Sequence, residues 1–339
     1  MLKKDIWKKW IVFSSLFVLV GIGVWAFYFR ASNTPTCDQV ILTMKGEEGD
    51  APEMDHSQHG QDHPPSHQMS EIPFNERFAE SNEMLVRMKS AKWSCLKIAL
   101  VSEEHGIQQM ATVHLSQEKR VGAKAIEKWF DDSDPKVRSG VAYVIGRTKE
   151  KRFLEILFLL LRDETPEVRQ AAVLAIRYFR LTPARRSEWV EPLLEDSDPR
   201  VRGEAAATLG YTESLSSSPK LVRRLSDENS DVVVRSIYAL KNLYAVKSTD
   251  DTVKKDIRNR ASDSLIKLLS KPDKRVQKAA IMALGKFRIQ KALDPIMERL
   301  DTLDSDQLPT AFSALEEITS EDIEPRVDAW NAWWRKNAR

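Results

Sequence analysis

Residues 132–138 read Asp-Ser-Asp-Pro-Lys-Val-Arg, and similar strings return at 163–169 (Asp-Glu-Thr-Pro-Glu-Val-Arg) and at 196–202 (Asp-Ser-Asp-Pro-Arg-Val-Arg). The third residue of each string can accept hydrogen bonds from the free N–H groups of a helix start, and proline is tolerated at the first helical position. Such a capping residue recurs at separations of 31, 33, 31, 44 and 31 residues. The six positions are Asp134, Thr165, Asp198, Asn229, Asp273 and Asp304. A period of this size predicts stacked supersecondary units.

An apolar stripe follows each capping residue. Valine stands three residues after the first five caps, and Gln307 takes its place after the sixth. An isoleucine or leucine stands eleven residues after every cap, at Ile145, Ile176, Leu209, Leu240, Leu284 and Leu315. A second amphipathic segment with larger apolar residues precedes each cap, so each unit is predicted to be a helix pair. The expected fold is all-α, an α-solenoid in which neighbouring pairs bury each other's apolar faces.

These strings resemble HEAT repeats, especially the short bacterial class first noted in phycobilisome-lyase-like proteins. The resemblance covers about residues 117–320 and implies an α-solenoid. It also implies a ladder of ion pairs between the Asp and Arg of successive motifs. Val233 and Gln277 stand at the Arg position of the fourth and fifth units, so the ladder is expected to fade there. Lyase activity is not implied, because the chain has no bilin-specific motif.

The irregular parts of the array lie at its ends and at the 44-residue step. Residues 73–116 are expected to form N-terminal capping helices or a degenerate repeat, and residues 321–339 a Trp-rich capping helix. Trp330, Trp333 and Trp334 share one helical face, which suits an aromatic lid over the last repeat or an aromatic patch that binds a partner. The long step adds residues around 244–257, as a protruding loop or as an extended helix.

Residues 10–29 form a run of 20 residues without a charge, which as a helix matches the roughly 30 Å hydrocarbon thickness of a bilayer. Four lysines precede the run, so the positive-inside bias keeps residues 1–9 in the cytoplasm as a basic tail. We therefore expect a single transmembrane helix in a bacterial cytoplasmic membrane, with the repeats on the outer side. The alternative is a cleaved signal peptide, with Val24 and Ala26 at the small-residue positions.

Residues 30–72 lack hydrophobic periodicity and are rich in polar residues, Pro and Gly, so we expect a disordered linker. Imidazole nitrogens suit copper and zinc, and thioether sulfur favours Cu(I). The segment resembles the Met/His-rich stretches of extracytoplasmic copper-resistance proteins. The alternative is a polar spacer whose histidines are solvated. The candidate metal ligands are Met54, His56, His59, His63, His67 and Met69.

Cys37 and Cys95 are the two cysteines of the chain. In an oxidising compartment they can form one intrachain disulfide. Cys37 can instead link two chains, and Cys95 can simply be a small core residue.

The sequence offers no phosphate-binding glycine loop, no His-Glu-x-x-His and no nucleophile elbow, so no enzyme is expected. Net charge is +2, with +4 in residues 1–30 and −6 in residues 31–70, which argues against a nucleic-acid partner. A basic cluster at Arg177, Arg180, Arg185 and Arg186 is interpreted as a solvated rim. We expect a scaffold whose concave face binds a protein or peptide partner in the cell envelope. The alternative function is the handling of copper or another transition metal by the linker.

Overall fold

The computed structural model describes residues 93–102, 105–246 and 250–337, and these ranges contain helices and turns but no strand. The chain divides into two units, Met1–Glu118 and Lys119–Arg339. In the first unit, α1 (Trp93–Leu100) contacts α2 (His105–Gln117). Cys95 lies in α1, where it is buried and disulfide-bonded. Because Cys37 lies outside the described residues, its pairing with Cys95 stays a prediction.

The second unit is built from helix pairs, as the periodic pattern predicts. The first helices of the pairs are α3 (Lys119–Trp129), α5 (Leu154–Leu160), α7 (Pro183–Val190), α9 (Ser218–Arg224), α11 (Asp251–Leu268) and α13 (Leu293–Met297). The second helices are α4 (Pro135–Thr148), α6 (Pro166–Ile176), α8 (Pro199–Tyr211), α10 (Ser230–Ala245), α12 (Lys274–Lys286) and α14 (Leu308–Thr319). A last helix, α15 (Val327–Asn337), follows them. Short 3-10 turns adjoin α5, α7, α9 and α13.

The predicted apolar stripe forms the core between successive helix pairs. The valines three residues after the caps and the Ile or Leu eleven residues after them are all buried. Each second helix contacts the second helix of the next unit, from α4 through α14. These contacts make a continuous layer of second helices, so no unit buries its apolar face alone.

Four of the six predicted caps work through their side chains. Asp134, Asp198, Asn229 and Asp273 each accept a backbone N–H from the first turn of the following helix. Thr165 occupies the N-cap position, but its hydroxyl accepts from Arg138 Nη2 at 3.2 Å instead. The prediction for Asp304 is wrong. Helix α14 begins only at Leu308 with Gln307 as its N-cap, and the Asp304 carboxylate pairs with Lys274 at 2.5 Å.

The expected Asp–Arg ladder is present in the first half of the array. Arg138, Arg169 and Arg202 each form two hydrogen bonds of 2.7–2.9 Å with the aspartate of the next unit, Asp163, Asp196 and Asp227 respectively. Each arginine also donates to two carbonyls of its own interhelix turn.

In the fifth and sixth units a neutral amide pair stands in place of the ladder. The Gln277 side chain donates to the Lys271 carbonyl at 2.6 Å, and the buried Gln307 donates to Gln277 Oε1 at 3.0 Å. Each Gln thus satisfies part of its hydrogen-bonding capacity on the other without an ion pair. The predicted end of the ladder after Asp227 is confirmed for these residues.

Three glycines, each twelve residues after a cap, set the spacing of alternate second helices. A Cβ built at Gly146, Gly210 or Gly285 would lie 3.0, 2.4 or 2.5 Å from the Cα of Ala175, Ala239 or Ala314 respectively. The distances at Gly210 and Gly285 are too short for a Cβ, and the distance at Gly146 is tighter than most Cβ contacts, so α4–α6, α8–α10 and α12–α14 approach closely because glycine meets alanine. The same position holds Arg177 at the C-terminal end of α6 and Lys241 in α10, so long cationic side chains enter the other two junctions.

The additional residues of the 44-residue step lengthen helices, which is one of the two predicted alternatives. Helix α10 has 16 residues and α11 has 18. Tyr244, in the last turn of α10, packs on Phe287 with ring centroids 4.7 Å apart. Arg258 donates to the Tyr244 hydroxyl at 3.1 Å. The extension is therefore part of the packed array.

Helix α15 contacts α13 at the C-terminal end of the helical array. Trp330 is fully buried and meets Trp333 edge to face, and Trp334 Nε1 donates to Asp294 at 2.9 Å. This burial is what the interpretation as an aromatic lid requires. None of the described helices is both long and apolar enough to cross a membrane, and the predicted transmembrane helix at residues 10–29 lies outside the described residues.

Candidate protein-interaction surface

Tyrosines line the solvent side of the second-helix layer. Tyr143 and Tyr238 stand nine residues after their caps, and Tyr178 and Tyr211 thirteen residues after theirs. Nine and thirteen residues place side chains on nearly the same helix face, opposite the buried stripe. Tyr143, Tyr178 and Tyr211 are 37%, 49% and 51% exposed, and Tyr238 is half-buried. We call these four residues the tyrosine face.

The tyrosine face is continuous from α4 to α8. The Tyr178 ring leans across onto α4, where its Cδ2 lies 3.3 Å from the position of a Cβ at Gly146. Burial raises the pKa of the Tyr143 hydroxyl above its ordinary value, and the nearby Glu204 and Tyr178 raise it further. Groups on three successive second helices are therefore close enough to influence one another.

Arg177 fills the junction between α6 and α8. Its guanidinium forms an ion pair with Glu204 of α8, donates to the Thr208 hydroxyl at 3.2 Å and lies 5.3 Å from the Tyr211 ring centroid. Arg235 of α10 reaches the other oxygen of Glu204 at 3.3 Å. The buried Glu204 carboxylate thus pairs with two arginines, and one of them, Arg177, lies against the Tyr211 ring of the tyrosine face.

Lys241 fills the corresponding junction between α10 and α12. The side chain is half-buried, with Nζ 5.0 Å from the Tyr238 ring centroid and 3.8 Å from Met282 Sδ. Burial lowers the pKa of its ammonium group, and the charge of Lys286 lowers it further. No described carboxylate forms an ion pair with Lys241.

Positions nine, twelve and thirteen after the cap, which lie on the solvent side of the layer or in its junctions, hold no Asp or Glu in the first five units. They hold aromatic residues, small or apolar residues, one asparagine and the cations Arg147, Arg177, Lys241 and Lys286. Exposed aromatic residues beside arginine are typical of protein-binding surfaces. The layer therefore offers area for a bound chain but no combination of nucleophile, base and orienting group.

Comparison with known proteins identifies the repeat. A family model of HEAT repeats matches residues 123–187 and 262–329. These two segments are therefore similar to HEAT repeats. No curated protein sequence matches it at a significant level. The structure shows the same helix pairs between the two matched segments, in α8, α9 and α10, as within them.

Solved structures support the fold. The chain resembles a chain of the Kap95:Nup1 complex with a TM-score of 0.56 and 12% identity, covering 88% of this chain and 40% of that one. It also resembles YibA of Escherichia coli (TM-score 0.49, 17% identity, 72% and 98% coverage). A third match is the CpcE–CpcF complex of phycocyanin lyase from a Nostoc species (TM-score 0.37, 14% identity, 66% and 94% coverage). The first likeness shows the fold alone, and the other two are too low to support an argument.

The predicted metal ligands of the linker and Cys37 lie outside the described residues. Within the described part of the chain, no group of His, Cys, Asp or Glu side chains is arranged to hold a metal ion. The metal site of residues 54–69 therefore stays a prediction.

The prediction that the basic cluster is a solvated rim is wrong for two of its members. Arg177 forms a largely buried ion pair with Glu204. Arg186 is buried and donates at 3.1–3.2 Å to the carbonyls of Phe179 and Leu181, which precede α7, and of Thr212, which follows α8. Both guanidinium groups satisfy polar atoms inside the helical array, where an unpaired carboxylate or carbonyl would be costly to bury.

The tyrosine face was not predicted from the sequence, although its signal is present there. The buried stripe occupies positions three, eight, ten and eleven after each cap, and positions nine and thirteen lie outside it. When the six units are aligned on their caps, tyrosine stands twice at position nine and twice at position thirteen. That alignment would have located the surface.

Proposed function

We propose that the chain is a non-enzymatic, membrane-anchored HEAT-repeat scaffold that binds a protein or peptide partner on the outer side of the cytoplasmic membrane. The tyrosine face is the binding surface in this proposal. The observation that carries it is the alignment of three solvent-exposed tyrosines, two on α4 and α8 and one just after the end of α6.

Two properties of the tyrosine face support the proposal. Tyrosine gives a large contact area at a low cost in conformational entropy, and it offers a hydroxyl to a partner's backbone. The neighbouring arginines hold the second helices in place through Glu204, so the surface is largely formed before a partner binds. The membrane anchor in this proposal rests on residues 10–29 of the sequence.

Site-specific photo-crosslinking in cells tests the proposal. The photoreactive residue p-benzoylphenylalanine is placed at Tyr211, where it preserves an aromatic ring, and adducts are separated by mass. The matched control carries the same residue at Leu159, which is 57% exposed on α5 in the layer of first helices.

We expect a defined protein adduct from position 211 that is absent from position 159. The additional change Tyr178→Ala is expected to weaken this adduct, since it removes adjacent contact area. Adducts that are the same from both positions, or none from position 143, 178 or 211, would contradict a binding role for this face.

A second candidate function is metal handling by the linker, supported by four histidines within 12 residues at His56, His59, His63 and His67. Titration of Cu(I), Cu(II) and Zn(II) into the protein is expected to show modest affinity that decreases as the histidines protonate below about pH 6.5. Replacement of the four histidines by serine is expected to abolish binding. Unchanged binding in that variant would eliminate this function.

A further inference from the structure

Comparison of two equivalent junctions shows a missing charge partner. In the α6–α8 junction, the cation twelve residues after the cap, Arg177, meets Glu204, which stands six residues after the next cap. In the α10–α12 junction the corresponding cation is Lys241, and the corresponding residue six after the next cap is the buried Ala279. The second junction keeps the cation of the first and lacks its carboxylate.

A second cation lies beside Lys241. The ammonium of Lys286, on α12, is close enough for its charge to lower the pKa of Lys241. Lys286 has one carboxylate nearby, Glu317 at 3.8 Å, which is a long and partly exposed ion pair. Two cations therefore share one distant anion at this junction, and their mutual repulsion favours the entry of another negative group.

Resting on the proposed function, we propose that the α10–α12 junction is a subsite for a carboxylate of an acidic peptide segment in the partner protein. Lys241 and Lys286 bind the carboxylate at the position that Glu204 occupies in the α6–α8 junction. Tyr238 and Met282 flank it and contact the neighbouring part of the peptide.

The choice of an acidic peptide follows from charge and from neighbouring groups. The absence of Asp and Glu at positions nine, twelve and thirteen after the cap in the first five units favours a partner that is itself negative. Tyr238, a member of the tyrosine face, borders the subsite, and its ring suits a chain with side chains and backbone amides rather than an isolated ion. A half-buried lysine strengthens such a contact, because the ion pair is less screened than at an open surface.

Fluorescence anisotropy on the full chain tests the subsite. The probe is a fluorescein-labelled decapeptide of alternating glycine and glutamate, and its glycine–glutamine counterpart serves as the uncharged control. Lys241→Met and Lys286→Met each remove one cation from the subsite. Lys267→Met removes the same charge from an exposed position in α11 and is the matched control.

We expect the glutamate peptide to bind and the glutamine peptide to bind about tenfold more weakly, since the charge-assisted hydrogen bonds are lost. Lys241→Met and Lys286→Met are each expected to weaken glutamate-peptide binding about fivefold to tenfold, and Lys267→Met to leave it unchanged. Equal effects of all three substitutions, or equal binding of the two peptides, would overturn the proposal.

A gain-of-charge variant gives an independent measurement. Ala279→Glu supplies the carboxylate that Glu204 supplies in the other junction, and it is expected to weaken peptide binding without removing a lysine. Circular dichroism establishes whether the variant is folded. If it is not folded, the binding measured for Lys241→Met and Lys286→Met tests the subsite instead. Undiminished binding by a folded Ala279→Glu protein would contradict the assignment.

Two further outcomes separate this subsite from other possibilities. Lys241-dependent binding of a single-stranded DNA decamer or of phosphatidylglycerol vesicles, as tight as that of the peptide, would overturn the commitment to an acidic peptide. If the peptide fails to bind while Tyr211 still gives its crosslinked adduct, the carboxylate subsite is wrong and the scaffold proposal stands. If the peptide does not bind and position 211 gives no specific adduct, both the carboxylate subsite and the scaffold proposal are wrong.

Discussion

At Gly210, the backbone of α8 lies so close to α10 that a Cβ would stand 2.4 Å from the Cα of Ala239. Gly203 lies on the same helix, but a Cβ there would meet the flexible side chain of Arg235, with its Cδ at 2.9 Å. We predict that Gly210→Ala lowers the free energy of unfolding by about 1–3 kcal/mol, because two backbones must separate. Gly203→Ala is the control and is expected to be neutral, or stabilising by less than about 1 kcal/mol through helix propensity.

Urea denaturation of both variants measures the difference. Equal stability changes at the two glycines would show that close backbone approach is not what requires Gly210.

Some single residues could be predicted from the sequence and others could not. The side-chain caps at Asp134, Asp198, Asn229 and Asp273 depend on neighbours within three residues, so a local pattern suffices. The burial of Arg186 depends on the carbonyl of Thr212, 26 residues away at the end of α8, and no local pattern encodes that contact. The start of α14 differs from the prediction for the same reason, since Asp304 pairs with Lys274 of the preceding unit.

Between elements, the Arg202–Asp227 pair joins two successive units in the buried part of the ladder. The Asp227 side chain is 3% exposed, whereas Asp231, which pairs with Arg275 at 2.7 Å, is 64% exposed. We predict that Asp227→Asn costs about 3 kcal/mol of unfolding free energy, because it leaves the buried Arg202 guanidinium with only the exposed Glu228 carboxylate, at 3.6 Å, as a charge partner. Asp231→Asn is the control and is expected to cost less than about 1 kcal/mol.

The ladder also predicts a dependence on pH. Burial alone would raise the pKa of Asp227, but the hydrogen bonds from Arg202 and from the Asn229 N–H lower it more, so the pKa lies below its ordinary value. A carboxylate with a lowered pKa stabilises the fold above about pH 4, its unfolded pKa, and the stabilisation is lost as the pH falls through the folded pKa. The stability gap between the wild type and Asp227→Asn should therefore narrow on acidification from about pH 5. A constant gap in thermal unfolding over this range would contradict the assignment.

At the scale of elements, the helix pairs and their buried stripe were predictable because burial imposes a period on the sequence. The ladder was predictable only through the resemblance to HEAT repeats, since spacing alone does not say which Asp meets which Arg. The tyrosine face was missed because burial imposes no such period on exposed positions.

For the whole molecule, the proposed topology gives a test of its own. The lysines before residue 10 should retain the N-terminus in the cytoplasm, so a phosphatase that needs its disulfides should be active when fused after Arg339. Replacement of Lys3, Lys4, Lys8 and Lys9 by serine should reduce that activity, because it removes the charge bias that sets orientation. A fusion that is active only with a cytosolic reporter would refute an outward-facing repeat array.

The alternation of glycine-to-alanine junctions with cation-filled junctions has a mechanical consequence. Helices α4–α6, α8–α10 and α12–α14 meet backbone to backbone and should behave as three stiff doublets. The joint around Arg177 is held by its ion pair with Glu204, whereas Lys241 fills the other joint without an ion pair, so the Lys241 rotamer can change with little loss of packing. Under load, the array should flex first at the α10–α12 joint, before any helix deforms, and a ligand bound there would stiffen it.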